Sequence, residues 1–81
     1  MATRLANEKK FKQWKEVENG NRLYWRKVEG KRGWYALYNK EVDASENTVR
    51  LWQEIYNEKN EVVEIHHKYP VDTGHQKIKT T

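Results

Sequence analysis

Between Arg22 and Tyr69, apolar and aromatic runs are broken at short intervals by polar, turn-forming segments, leaving no room for intervening helices. Arg22–Val28 reads as a first strand. Residues 29–33, Glu-Gly-Lys-Arg-Gly, form its turn, with two glycines free to take positive φ. Trp34–Val42 reads as a second strand and Thr48–Tyr56 as a third, joined by the polar stretch 43–47. Asn57–Asn60 makes a tight turn into a fourth strand, Glu61–Lys68, and Pro70 removes a ladder donor at its end. Short connections make neighbouring strands antiparallel, so the simplest arrangement is a four-stranded meander.

A register follows from the last hairpin. If Asn60 closes a type I turn in the left-handed region, Asn57 faces Glu61 and Ile55 faces Val63. Val49, Leu51, Ile55, Val63 and Ile65 then share an apolar face, and Leu51 and Ile65 are expected in the interior. Trp52 falls opposite His66, Tyr56 opposite Val62, and Arg50 opposite Lys68. Glu54 falls opposite Glu64, an unfavourable pair of like charges.

The apolar face needs a cover, and the segment before Arg22 is the only one available. On a helical wheel Ala2, Ala6, Phe11, Trp14 and Val17 occupy one side, and Gly20 suits the residue after a helix end. A competing signal is Asn19-Gly20, a strong type I′ hairpin pair, flanked by the similar runs Trp14-Lys-Glu-Val-Glu and Trp25-Arg-Lys-Val-Glu. The helix is the preferred reading. The sequence thus predicts an α+β domain: a helix over 2–18, an antiparallel sheet over 22–69, and a loose tail over 70–81. Within that tail Ile78 is the one anchor after Val71.

Composition sets the limits on function. With 81 residues there is one small domain and little interior for a large cofactor. Val, Ile, Leu and Phe number only 15, yet four Trp and five Tyr supply enough contact area for a folded core. No apolar run is long enough to span a bilayer, and no apolar signal-like segment opens the chain. The absence of cysteine excludes thiol chemistry and fits a reducing, cytoplasmic setting. Charge is uneven. Residues 1–40 carry eleven Lys and Arg against four Glu, whereas residues 41–65 carry two against seven Asp and Glu. That acidic segment is expected to repel a phosphate backbone.

Alternation places Tyr24, Arg26, Trp34, Tyr38, Arg50, Trp52, Tyr56 and His66 together on the second sheet face. Aromatic rings interleaved with Arg suit single-stranded RNA, but they equally suit packing or a contact between copies. The expected function is a non-catalytic binding module acting through this face or through strand-mediated dimerisation. A protein partner or homodimer is the expected occupant, with single-stranded nucleic acid the alternative. No cofactor is expected. His66, His67, His75 and Asp72 match no established zinc spacing, and adjacent His66 and His67 point to opposite faces, so no metal site is expected. The single serine, Ser45, has no nucleophile-elbow context, and no glycine-rich phosphate loop precedes a helix.

Two resemblances add expectations. A basic helical start followed by a basic, aromatic antiparallel sheet is similar to RelE-type mRNA interferases. That likeness implies RNA cleavage with Arg26, Arg50, Tyr69 and His75 as charge stabilisers and acid–base groups, and it ranks below the binding reading. The runs Lys31-Arg-Gly-Trp-Tyr-Ala, Trp52-Gln-Glu-Ile-Tyr and Lys68-Tyr-Pro-Val-Asp-Thr-Gly-His, within residues 29–78, look like those of small uncharacterised bacterial proteins. This second likeness implies a bacterial source and no particular activity.

Overall fold

A computed structural model describes residues 3–77. One helix, α1 (Arg4–Lys10), precedes six strands: β1 (Gln13–Glu16), β2 (Arg22–Glu29), β3 (Tyr35–Val42), β4 (Thr48–Tyr56), β5 (Val62–Tyr69) and β6 (Gly74–Lys77). All six form a single antiparallel sheet in chain order. The meander is therefore six-stranded, which corrects the four-stranded expectation. Its two extra strands come from segments read as helix and as tail.

The helix expected over 2–18 ends after Lys10. Thr3 caps its start by accepting from the Ala6 amide at 3.1 Å, and Phe11 leaves in an extended conformation. Ala2 lies outside the described residues. The competing hairpin signal prevails in the next segment, because Asn19 and Gly20 both adopt positive φ, 64° and 74°. That pair of conformations is what a type I′ turn demands. β1 accordingly pairs with β2, placing Trp14 against Tyr24 with ring centroids 6.2 Å apart.

The tail is also not loose throughout, since Gly74–Lys77 pairs with Glu64–His67 of β5. No apolar alternation marks residues 74–77, so only main-chain bonding to an open sheet edge defines the strand. Its turn is held by the Thr73 amide donating to the His67 carbonyl at 2.8 Å and the Gly74 amide donating to Asp72 at 2.9 Å. Ile78, the expected anchor, lies outside the described residues.

The register departs from expectation at single-residue bulges. The β4–β5 turn forms as anticipated: Asn60 takes φ 63°, Asn57 bonds Glu61, and Tyr56 pairs with Val62. Val63 then bulges, so Ile55 faces Glu64, Glu54 faces Ile65 and Trp52 faces His67. The slip removes the Glu54–Glu64 clash that an unbroken register imposes. A second irregularity leaves Lys68 unpaired, with Leu51 facing Tyr69. Arg50 meets Glu41 of β3.

Consequently Leu51 and Ile55 lie on one face and Ile65 on the other, and Val49 is exposed. The expected apolar face does not exist, and Leu51 and Ile65 are only half-buried. The core is instead Phe11, Tyr24 and Val42, at 2%, 0% and 0% exposure. It sits where the end of α1 folds back over β2 and β3.

A buried polar cluster holds α1 there. Glu46, in the β3–β4 connection, accepts from Arg4 Nε at 2.8 Å, from Asn7 Nδ2 at 3.0 Å and from the Tyr24 hydroxyl at 3.3 Å. Lys40 Nζ donates to Asn7 Oδ1 at 2.8 Å, and Arg22 pairs with Glu8 at 2.9 Å. The short helix therefore covers one end of one sheet face and leaves the rest open.

Candidate functional site

Alternation from the observed register separates the eight residues expected to share a face. Tyr24, Arg26, Tyr38 and His66 lie on the helix side, with Arg26 directly opposite Tyr38. Arg50, Trp52 and Tyr56 lie on the other side, because Val49 bulges between the Val42–Thr48 and Glu41–Arg50 pairs. Without that extra residue Trp52 would pair with Tyr38; with it, Trp52 pairs with Asn39. Trp34 stands at the turn end of the sheet, where its indole N–H donates to Glu58 at 2.7 Å. Tyr24 is consumed by the core.

The far face satisfies itself. Tyr35 and Tyr56 stack at 4.9 Å with an interplanar angle of 5°. Arg50 lies 4.4 Å from the Trp52 ring centre and pairs with Glu41 at 3.0 Å, while Lys27 lies 4.4 Å from Tyr35 and pairs with Glu29 at 3.2 Å. Hydrogen bonds from Asn21 and Arg50 hold the Glu41 carboxyl below the usual range, against its partial burial.

The helix-side face is different. Beside α1 lies a hollow of about 180 Å³ lined by Lys10, Phe11, Arg26, Tyr38, Leu51, Trp52 and Lys68. Lys10 sits 5.7 Å from the Phe11 ring centre, and Arg26 and Lys68 sit 5.3 and 5.4 Å from that of Tyr38. Lys68 reaches this side by ordinary alternation, two residues after His66 on β5. Trp52 borders the hollow from β4, its ring turned toward Arg50 on the far face.

Two features of this hollow bear on its chemistry. No carboxylate among the described residues lines it. Among the described residues, Lys10, Arg26 and Lys68 have no ion-pair partner, whereas Arg4, Arg22, Lys27 and Arg50 each have one. The local positive charge is felt nearby: burial first, and the Lys10 ammonium second, hold Lys40 below the usual lysine range. An arriving anion would meet cations steadied by ring faces without first breaking a salt bridge.

Arg26 and Tyr38 of this site were visible in the sequence. Lys10 and Phe11 were not, since they arrive by the fold-back of α1; Lys68 was expected on the same face as His66 but was not singled out. Arg26 and Arg50, both implied by the interferase resemblance, are on opposite faces and cannot meet at one phosphate. Tyr69 is exposed at the end of β5. His66 Nε2 lies 2.7 Å from Asp72 Oδ1, and His67 faces the other way. No family model, curated protein or solved structure matches the chain. No helix among the described residues is long and apolar enough to cross a membrane.

Proposed function

We propose that this protein is a small, non-catalytic binding module whose working surface is the cationic hollow around Tyr38, and that its partner is anionic there. One observation carries the reading: Lys10, Arg26 and Lys68, none of them within ion-pair distance of a described carboxylate, converge on one concavity whose described lining holds no acid. On the far face, by contrast, Lys27 and Arg50 each pair with a carboxylate. Converging unmatched charge raises the local anion concentration and speeds encounter.

Inorganic polyphosphate is a suitable first probe, followed by calorimetry at low salt. Arg26→Glu/Lys68→Glu should weaken its binding on the order of tenfold or more, because both cations become repulsive. Arg50→Glu/Lys59→Glu makes the same charge change away from the hollow and should bind nearly as the wild type does. Equal losses in the two variants, at unchanged melting temperature, would contradict the assignment.

A non-catalytic role carries its own test. Single-stranded RNA incubated with the protein should be recovered at full length. Cleavage abolished by His75→Ala would replace the binding reading with the interferase one.

A further inference from the structure

The hollow does not end at α1. A second concavity of about 350 Å³, lined by Lys10, Lys12, Gln13, Trp25, Arg26 and Lys27, shares Lys10 and Arg26 with it. This second space exists because β1 pairs only with Arg22–Trp25, leaving the edge of β2 open from Arg26 onward. No carboxylate lines this space either. The result is a continuous basic path across the strands. It runs from Lys68 past Tyr38 to Arg26 and Lys10, then off the sheet edge beside Lys12 and Trp25.

We infer that this path is a track for single-stranded nucleic acid, with Lys68, Arg26, Lys10 and Lys12 meeting successive phosphates and the aromatic surfaces between them receiving bases. The inference rests on the anion-binding reading above and specifies its ligand. Three observations favour a nucleic acid strand over an acidic peptide. Rings lie among the charges along the path, Tyr38 between Lys68 and Arg26 and Trp25 beside Lys12, as bases lie among phosphates along a strand. The rings are of the stacking kind, Tyr38 within the hollow and Trp25 in the edge notch. The dimensions also agree. From β5 to β2 is three strand spacings, about 14 Å. At one phosphate per about 3.4 Å of stacked strand, that distance holds about four phosphates, and Lys10, Lys12 and Lys27 carry the positive charge on past Arg26. The surface is concave, and among the described residues no helix or ribbon projects from it to enter a duplex groove, which favours a single strand.

Fluorescence anisotropy with a labelled ten-nucleotide oligouridylate tests this directly. Four phosphate contacts predict that log K falls with log salt at a slope of about −3, since each contributes about 0.7 in a single strand. Arg26→Gln should cost about tenfold in affinity and lower the slope by about 0.7. Tyr38→Leu should cost about tenfold with the slope unchanged, and Tyr38→Phe should restore binding, which a purely electrostatic surface does not require. An unlabelled duplex of equal length should compete poorly.

Polyglutamate of matched length provides the opposing probe. If it binds through Arg26 and Lys68 while the oligonucleotide does not, the nucleic acid inference falls and the anion-binding reading stands. If neither binds, both fall. A duplex that competes as well as the single strand, or a Tyr38→Leu variant that binds as the wild type does, would also overturn the track.

Discussion

Tyr24→Ala is expected to remove most of the stability of this protein. The ring is fully buried, with Phe11 6.0 Å and Trp14 6.2 Å away between centroids, and its hydroxyl reaches Glu46 at 3.3 Å. Truncating a buried aromatic to Ala costs about 3–5 kcal/mol. A chain of 81 residues holds about 4–12 kcal/mol in all. The melting temperature should fall on the order of 20 °C. Tyr24→Phe keeps the ring, loses only the long hydrogen bonds to Glu46 and from Arg22, and should cost about 1 kcal/mol. Leu51→Ala, at a half-buried position beside the open hollow, should also stay well below the Tyr24→Ala loss. A drop under about 5 °C for Tyr24→Ala would show that the core lies elsewhere.

Glu46→Ala is the second large effect. Its carboxylate joins α1 to the β3–β4 connection, and its loss leaves Asn7 and Tyr24 with unmet polar groups at buried positions. Each such orphan costs about 1–3 kcal/mol, so about 3 kcal/mol is expected. The figure falls at the low end for breaking a buried ion pair because Arg4, 55% exposed, can turn to water, while Glu46 is only 10% exposed.

The same carboxylate sets a pH dependence. Burial opposes its ionisation, but the hydrogen bonds from Arg4 and Asn7 outweigh that and hold its pKa below the usual range. A carboxylate depressed in the folded state stabilises fully above its unfolded value of about 4.3, and the contribution is lost as pH falls through the folded value. Glu41 shifts in the same direction. The melting temperature should hold level above about pH 5 and fall below about pH 4, less steeply in Glu46→Gln. Parallel curves for the two proteins down to pH 3 would contradict this role.

Two turns were legible in the sequence because their chemistry is local, whereas in the 29–33 turn Arg32 rather than Gly30 joins Gly33 at positive φ. Asn19-Gly20 and Asn60 sit at positive φ, as their residue types request. The helix boundary was not legible: the wheel over 2–18 and the hairpin signal competed for the same residues, and the turn chemistry took the second half. β6 left no trace, since main-chain pairing to an open edge needs no apolar pattern. The face assignment failed for one physical reason. A single bulged residue inverts every later side chain in a strand, and Val49 did so for Arg50, Trp52 and Tyr56 relative to Tyr38. A bulge answers to tertiary packing, which no local pattern encodes. The acidic run 41–65 is dispersed by the fold: Glu46, Glu41, Glu58 and Glu61 accept from Arg4, Arg50, Trp34 and Asn57, and no described carboxylate lines the hollow.

What matters most is which face of the sheet meets the ligand, and side-chain NMR during titration with oligouridylate answers it directly. Backbone amides sense both faces of a sheet, so the informative signals are Arg Nε–H and Tyr ring resonances. The Arg26 Nε–H and the Tyr38 ring should shift progressively, while the Arg50 Nε–H and the Tyr56 ring stay in place. Shifts at Arg50 and Tyr56 with Arg26 and Tyr38 unmoved would assign binding to the opposite face and contradict the proposed site.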